Sequence, residues 1–329
     1  MLLAWSDTKR GVMRVLVTGG AGFVGSHYVR ALLGQAGPAV EIVVLVRLTH
    51  AGSRANLEFA GQSSRLTIVE GDICDSLFVN NVMKGIHHVV NFAAETHVDR
   101  SIDSPSAFLT NNVVGTQTLL HAAVSQGVER FVHVSTGEVY GSIDSGSCDE
   151  RQKLRPSTPY GASKAGSDHI VEAYHKTYGL ATLITRCSNN YGPYQFPEKL
   201  IPRFVTALFE GRNVPLYGDG GNIREWLYVE DHCRAVELVR ASGTPGEIYN
   251  IGGGRSLTNH ELTSVLLEAC GVGWDRVTYV PDRRGHDYRH SLDGTKLHRE
   301  LGFRPRVEFD TGLARTVKWF VENRSWWVR

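Results

Sequence analysis

The chain of 329 residues contains 42% hydrophobic and 21% charged residues, and its formal net charge at pH 7 is +1. This composition is typical of a globular protein with a sizeable core, and the balanced charge argues against a nucleic-acid or membrane-surface partner. The apolar runs are too short to span a bilayer, and the cysteines are too widely spaced for a metal site or a disulfide framework. We therefore expect a cytoplasmic protein with reduced thiols at Cys74, Cys148, Cys187, Cys233 and Cys270.

The first half of the chain has the pattern of alternating strands and helices. Residues 1–12 lack the continuous apolar stretch of a signal peptide, which predicts a short extension, and Met13 then opens the first strand-like run. The predicted strands cover residues 14–18, 41–46, 66–70, 88–92, 130–135 and 181–186, and the predicted helices cover residues 23–35, 104–126 and 159–178. Continuous apolar strands separated by helices form parallel sheets that are buried on both faces. We therefore predict an α/β fold with a Rossmann-type doubly wound parallel sheet.

After residue 187 the composition changes, because proline, glycine and tyrosine become frequent and only short helices, over residues 202–210 and 259–269, interrupt the loops. We interpret residues 13–186 as a dinucleotide-binding domain and residues 187–329 as a smaller, loop-rich substrate-binding lobe. Two segments of this lobe, residues 228–239 and 248–251, are predicted to return to the main sheet.

A glycine-rich turn follows the first predicted strand and precedes a predicted helix. The glycines fit a GxxGxxG spacing from Gly19 and also a GxGxxG spacing from Gly20. In this context such a turn brings backbone N–H groups and a helix N-terminus to a pyrophosphate, although a bare structural turn can have the same pattern. Dinucleotide contacts are therefore predicted at Gly19, Gly22, Phe23, Val24 and Gly25.

The second predicted strand lacks the acidic residue that usually binds the adenosine ribose. Val46 occupies that position and Arg47 follows it. Without the carboxylate, a 2′-phosphate would meet a cation instead of a like charge. Alternatively, Arg47 stacks on the adenine or faces solvent. We predict NAD as the cofactor, with NADP as the alternative.

The candidate catalytic residues follow the fifth predicted strand. Tyr160 and Lys164 are four residues apart and share a helix face, so the lysine can favour the tyrosine phenolate that removes a proton from a sugar hydroxyl. Thr136 can hydrogen-bond that hydroxyl, and Glu138 can act as a general base on an adjacent C–H. Ligands of open α/β sheets bind at this edge, which favours catalysis over a surface Tyr–Lys pair.

Several long motifs resemble those of extended short-chain dehydrogenase/reductases, and in particular the dTDP-glucose 4,6-dehydratases. They lie at residues 91–101, 138–142, 188–202, 282–287 and 326–327, together with Tyr160 and Lys164. The resemblance implies that Tyr160 helps to oxidise C4 of a hexose and Glu138 removes the C5 proton. It also implies loss of the C6 hydroxyl and return of the hydride to C6.

The same resemblance implies binding residues and an assembly. Further cofactor contacts are implied at Arg47, Asp72, Ile73 and Ala93. The residues implied for the nucleotide-sugar are His97, Asn190, Glu198, Lys199, Leu200, Pro215, Tyr217, Arg224, Asn259, Arg283 and His286. Of these, Arg224 and Arg283 would hold the diphosphate. A homodimer through residues 104–126 and 159–178 is implied, as is a bacterial pathway of deoxysugar and antibiotic biosynthesis.

The sequence departs from the family pattern at the general acid. Gly137 stands where the dehydratases have an aspartic acid that protonates the departing C6 hydroxyl. A water molecule or Glu198 could donate the proton instead. Alternatively, the enzyme stops at the 4-keto stage, as an epimerase or a uronate decarboxylase, or the protein binds ligands without turnover. His50 is a second departure, and no histidine motif indicates a metal site.

Overall fold

A computed structural model of the chain describes residues 12–34, 40–48, 52–61 and 63–328. Most of the predicted N-terminal extension and His50 lie outside these ranges. Among the described residues, no helix combines the length and the apolar character that a membrane span requires. All five cysteines are free thiols.

Thirteen strands of the described residues form one large sheet and two small ones. They are β1 (Arg14–Thr18), β2 (Glu41–Val46), β3 (Leu66–Glu70), β4 (His88–Asn91), β5 (Arg130–Thr136), β6 (Thr182–Cys187), β7 (Asn189–Tyr191), β8 (Val214–Tyr217), β9 (Ile223–Tyr228), β10 (Ile248–Ile251), β11 (Arg255–Thr258), β12 (Val277–Val280) and β13 (Arg289–His290). The large sheet has seven parallel strands in the order β3–β2–β1–β4–β5–β6–β10. This topology confirms the predicted Rossmann-type α/β fold.

Helices cover both faces of the large sheet. The α-helices are α1 (Phe23–Gly34), α2 (Ser76–Val82), α3 (Val98–Asp103), α4 (Pro105–Phe108), α5 (Gly115–Ser125), α6 (Pro159–Tyr178), α7 (Leu200–Phe209), α8 (Val229–Ser242), α9 (Asn259–Ala269), α10 (Thr295–Leu301), α11 (Phe309–Glu322) and α12 (Arg324–Trp327). One face packs against α1 and α8, and the other packs against α2, α5 and α6. The strands are apolar along their length because both of their faces are buried.

A second lobe forms around β9, which pairs with β7, β11 and β13. A separate core of aromatic and aliphatic side chains from α7, α9 and α11 packs there, and Trp326 and Trp327 border it. Strand β9 leads directly into α8, which lies on the large sheet, so the chain passes from one lobe to the other at Tyr228. This crossing brings both lobes to the carboxyl ends of the parallel strands.

The helix predicted over residues 104–126 is interrupted. A π-helical segment, Leu109–Val114, separates α4 from α5. Its cause is visible at Asn112, whose side chain bonds both backbone groups of Glu95, at 2.8 and 3.0 Å, and the Ser163 hydroxyl at 2.8 Å. The Ser167 hydroxyl donates to the Asn112 carbonyl at 2.7 Å. These tertiary bonds favour a widened turn that sequence periodicity does not predict.

Other differences from the predicted elements are smaller. Residues 229–239 lie on the large sheet as part of helix α8, since their apolar residues have helical spacing, whereas Tyr228 ends β9. By contrast, Ile248–Ile251 forms β10 beside β6. Strand β6 begins and ends one residue later than predicted, and α1 ends at Gly34, with Gln35 outside the described residues.

Candidate active site

The glycine turn between β1 and α1 leaves no room for side chains. Gly19 has φ +67°, and a Cβ there would lie 2.8 Å from the Ala93 nitrogen. A Cβ on Gly25 would collide with the Gly19 carbonyl, which itself accepts a bond of 2.9 Å from the Gly22 N–H. A Cβ on Gly20 would likewise lie 2.6 Å from a Val44 methyl carbon, so the constraints fall on glycines of both spacings. They leave the backbone open to a ligand at the N-terminus of α1.

A cavity of about 340 Å³ begins at this turn and follows the carboxyl ends of β1, β4, β5 and β6. The four predicted catalytic residues line it, together with most of the predicted cofactor contacts. These residues are Thr136, Glu138, Tyr160, Lys164, Gly19, Gly22, Phe23, Val24, Gly25 and Ala93. Strand β5 delivers Thr136, a short 3₁₀ turn after it delivers Glu138, and the first two turns of α6 deliver Tyr160 and Lys164.

Local sequence fixes the start of α6. Thr158 caps the helix by accepting a hydrogen bond from the Gly161 N–H at 3.1 Å, and Pro159 occupies the first helical position. The Tyr160 N–H donates to the Ser101 hydroxyl at 3.1 Å. The tyrosine and lysine are 7% and 3% exposed, so both polar groups are held inside the cavity wall.

Burial dominates the protonation of the tyrosine and lysine. It raises the pKa of Tyr160 well above its ordinary value, the nearby Glu138 carboxylate raises it further, and a hydrogen bond with Thr136 opposes the rise. Burial also lowers the pKa of Lys164 to about 8. The lysine ammonium donates to the Val134 carbonyl at 2.9 Å and lies 3.2 Å from His133 Nε2. Burial thus favours the neutral tyrosine, and stabilisation of its phenolate by Lys164 stays a prediction.

A second cavity of about 190 Å³ adjoins the first and shares Glu138, Asn190 and Glu198 with it. All eleven predicted nucleotide-sugar residues line this cavity: His97, Asn190, Glu198, Lys199, Leu200, Pro215, Tyr217, Arg224, Asn259, Arg283 and His286. Burial lowers the pKa of Arg224 to about 10, and its guanidinium bonds the Asp287 carbonyl at 2.9 Å. Arg283 lies 3.3 Å from Asp99.

The adenosine-side residues lie outside both cavities. Arg47 bonds Asp72 at 2.5 Å and lies 3.6 Å from a Glu95 oxygen, while Ile73 and Val46 are buried. The hydrogen bond that Arg47 donates to the Asp72 carboxylate raises the pKa of Arg47, so the guanidinium stays charged. The cation proposed from the sequence for a 2′-phosphate therefore already has two carboxylates beside it.

Several cavity residues have no motif that identifies them from the sequence. His232 on α8, His290 in β13, Leu292 and Cys187 all line the first cavity. Neither ring nitrogen of His232 has a hydrogen-bond partner within the described residues, and burial lowers its pKa to about 4. These residues lie at or shortly after the ends of strands, and their shared place in the cavity becomes apparent only after the second lobe is folded against the first. Among the described residues, no group of three or more His, Cys, Asp and Glu could hold a metal ion.

The position of Gly137 is closely packed. A Cβ at this glycine would lie 3.1 Å from one methyl carbon of Leu292, 3.3 Å from the other and 3.4 Å from the Cys187 carbonyl oxygen. Gly137 is itself buried. The volume that an acidic side chain would occupy is therefore bordered by an apolar side chain, which is poor surroundings for a fixed water molecule.

Comparisons with known proteins agree with this geometry. The family model for GDP-mannose 4,6-dehydratase matches residues 16–316. A dTDP-glucose 4,6-dehydratase of Streptomyces antibioticus is 56% identical over 319 residues, covering 96% of this chain and 94% of that protein. The crystal structure of the dTDP-glucose 4,6-dehydratase DesIV of Streptomyces venezuelae with NAD bound has a TM-score of 0.95 and 60% identity, covering 96% of this chain and 99% of that one. A UDP-glucose 4-epimerase of Thermotoga maritima has a TM-score of 0.87 and 31% identity over 95% of this chain and all of that one.

Proposed function

This chain belongs to the nucleotide-sugar 4,6-dehydratase family of extended short-chain dehydrogenase/reductases, and we propose that it converts dTDP-glucose to dTDP-4-keto-6-deoxyglucose. The observation that carries the proposal is that Glu138 lines the same cavity as Tyr160 and Lys164. Oxidation at C4 requires one base, whereas dehydration across C5 and C6 requires a second base to remove the C5 proton. Tyr160 and Glu138 supply the two.

The glycine turn fits a nicotinamide dinucleotide, because its close backbone approach leaves N–H groups at the α1 terminus for a pyrophosphate. We assign cofactor binding mainly to residues 13–186 and nucleotide-sugar binding mainly to residues 187–329. A nicotinamide dinucleotide held at this turn would supply the hydride acceptor for oxidation at C4 and the hydride donor for reduction at C6. Arg224 and Arg283 offer two guanidinium groups to the substrate diphosphate.

The side chains then act in order. Thr136 and Tyr160 hold the C4 hydroxyl, and Tyr160 accepts its proton as C4 is oxidised, in the phenolate form that the Lys164 ammonium would favour against the effect of burial. Lys164 stays charged beside the tyrosine at neutral pH, since its pKa is about 8. The C4 ketone acidifies the proton on C5, which Glu138 removes while the C6 hydroxyl departs. Glu138 returns a proton to C5 after C6 has accepted the hydride.

Incubation with dTDP-glucose in deuterated water, followed by mass spectrometry and proton NMR, tests this activity. We expect a 4-keto-6-deoxy product with one solvent deuterium at C5. Glu138→Gln should lower turnover by about 10² to 10⁴ through loss of the base. The same variant should still form the reduced cofactor, which can be followed by its absorbance. Recovery of unchanged dTDP-glucose from the wild-type protein would contradict the proposal.

Gly137 favours, as a second candidate function, a reaction that stops at the 4-keto sugar over a protein that binds ligands without turnover. Without an acid at residue 137, the 4-keto sugar could exchange its C5 proton through Glu138 and return as an epimer, or a uronate could lose carbon dioxide at the same stage. Deuterium at C5 in a sugar that keeps its C6 hydroxyl would identify epimerisation. Binding without exchange or hydride transfer would identify a protein without turnover.

We further propose that the cofactor is NAD. Arg47 is engaged by Asp72 and Glu95, so two carboxylates lie near any phosphate on the adenosine ribose and would repel it. The NAD-bound structure of the DesIV relative supports the same choice. Calorimetric titration of nucleotide-free protein should therefore give tighter binding of NAD than of NADP, and Asp72→Asn should narrow the difference. Equal or tighter binding of NADP by the wild-type protein would contradict this assignment.

We also propose a homodimer that forms through the π-helical segment, α5 and α6. Three large apolar side chains on these elements are about half exposed: Leu109 at 52%, Val114 at 50% and Tyr178 at 56%. Exposed apolar groups on neighbouring helices are typical of a surface that a second copy covers. A role in deoxysugar biosynthesis follows from the proposed product.

A further inference from the structure

The proposed dehydration needs a proton donor for the C6 hydroxyl, and residue 137 cannot supply one. A positioned general acid contributes about 10² to 10⁴ in rate. The two methyl carbons of Leu292 lie 3.1 and 3.3 Å from where a Cβ of residue 137 would be, so the apolar side chain borders the vacated position. The inference below rests on the proposed function and concerns which other residue donates this proton.

The segment that carries Leu292 also carries a histidine. His290 ends β13 and Leu292 forms an isolated bridge with Cys148, so the chain is extended here. His290, Ser291 and Leu292 all line the first cavity, which Glu138 and Tyr160 also line. The imidazole therefore belongs to the same cavity wall as Leu292, the side chain that borders the position of the missing acid.

A buried carboxylate holds this imidazole. His290 Nε2 lies 2.8 Å from Asp287 Oδ2, and the other oxygen of Asp287 accepts a hydrogen bond of 2.5 Å from the Ser157 hydroxyl. Asp287 and His290 are 5% and 9% exposed. Burial alone would raise the pKa of Asp287, but the hydrogen bonds from His290 and Ser157 outweigh it and the pKa falls below its ordinary value. The carboxylate is thus ionised and can stabilise an imidazolium.

We propose that His290, held by Asp287, is the general acid that protonates the leaving C6 hydroxyl. Glu138 takes the C5 proton, the electrons of the C5–H bond form the C5–C6 double bond, and the C6–O bond breaks. The oxygen takes its bonding electrons and one proton from the imidazolium, so that water leaves and His290 becomes neutral. Tyr160 has meanwhile gained the C4 hydroxyl proton, so exchange with solvent restores both residues without net change in charge.

Two other cavity residues are less suited to this role. Glu198 already pairs with Lys199, whose ammonium lies 3.8 Å away. Lys199 in turn donates to the Thr96 carbonyl at 2.7 Å. Both residues line the second cavity as well as the first, toward the proposed diphosphate site, whereas His290 lines only the first. His290 is therefore the proton donor on the Gly137 side of the cleft.

The test compares His290→Gln with His260→Gln, which replaces an exposed histidine outside both cavities. We expect His290→Gln to lower dTDP-glucose turnover by about 10² to 10⁴. Its first turnover should still oxidise C4, so reduced cofactor should accumulate and C5 should exchange with deuterated solvent. The control should turn over at the wild-type rate. Equal turnover in His290→Gln and wild type would overturn this proposal alone, and an inert wild type would overturn the proposed function with it.

Two further measurements separate a lost acid from a damaged fold. A 6-fluoro-6-deoxy substrate loses fluoride, which needs little proton assistance, so His290→Gln should process it within about tenfold of wild type. The double substitution Gly137→Asp and Leu292→Val introduces an acid at residue 137 and retracts the obstructing methyl groups. Added to His290→Gln, it should raise turnover at least about tenfold above that of His290→Gln alone. The proposal would be overturned if His290→Gln lost turnover equally on both substrates and the double substitution did not restore it. It would also be overturned if reduced cofactor accumulated in Glu198→Gln instead.

Discussion

Burial of the charged Lys164 side chain in the candidate active site lowers the stability of the folded chain. The pKa of Lys164 in the folded chain, about 8, is below the ordinary 10.5, because the charged form loses hydration on burial. Between these pH values the unfolded chain binds more protons, so the stability of the fold rises as pH rises through this window. At pH values below this window, burial of the charged lysine lowers the free energy of unfolding by its full amount, about 3 kcal/mol.

Lys164→Met should therefore increase the free energy of unfolding of nucleotide-free protein at pH 7. We expect about 1–2 kcal/mol, since the lost hydrogen bond to Val134 offsets part of the gain. Urea unfolding measures it, and the gain should shrink as pH rises from about 8 to about 10.5, because the wild-type lysine loses its charge first in the folded chain and then in the unfolded chain. Lys318→Met, at a site 74% exposed, is the control and should change little. Destabilisation at pH 7, or a gain that does not depend on pH, would contradict this account.

The sequence identified the cavity residues that belong to a motif. It did not identify those that reach the cavity only when the two lobes pack together. Tyr160, Lys164 and Glu138 stand in recognisable patterns, and the structure puts them in one cavity. Their roles remain predictions. His290 has no such pattern, because Glu138 and Tyr160, with which it shares the cavity, come from a turn and a helix start more than a hundred residues earlier in the chain. Only the folded second lobe brings its strand to the cavity.

The sequence predicted the strands and helices that local periodicity determines. It did not predict the helical segment that depends on tertiary hydrogen bonds. Strands β1, β2 and β3 and helix α6 have the predicted bounds, because apolar runs and caps act locally. The π-helical segment was not predicted, since it depends on Asn112 bonding Glu95, which lies seventeen residues earlier. That bond holds residues 93–96 against the cavity, so the irregular turn supports the site.

At the scale of the whole molecule, two lobes with separate cores meet along the carboxyl edge of one sheet. The sequence predicted the sheet from its apolar strands, and it predicted a loop-rich second lobe from its glycines and prolines. It also predicted that residues 228–239 return to the large sheet, but not that helix α8 makes this return directly after β9. The cleft forms where this crossing brings the second lobe to the edge of the sheet.

The proposed dimer gives the last prediction at this scale. A dimer of a 36.3 kDa chain should have twice that mass by light scattering after size-exclusion chromatography. Leu109→Glu with Val114→Glu should give the monomer mass, because two carboxylates would lose hydration without a partner at the centre of the interface. Val321→Glu is the matched control, since Val321 is equally exposed, at 52%, but lies on α11 of the second lobe. It should leave the dimer intact. A monomeric wild type, or dissociation caused equally by the control, would show that the exposed apolar groups of these helices do not form the interface.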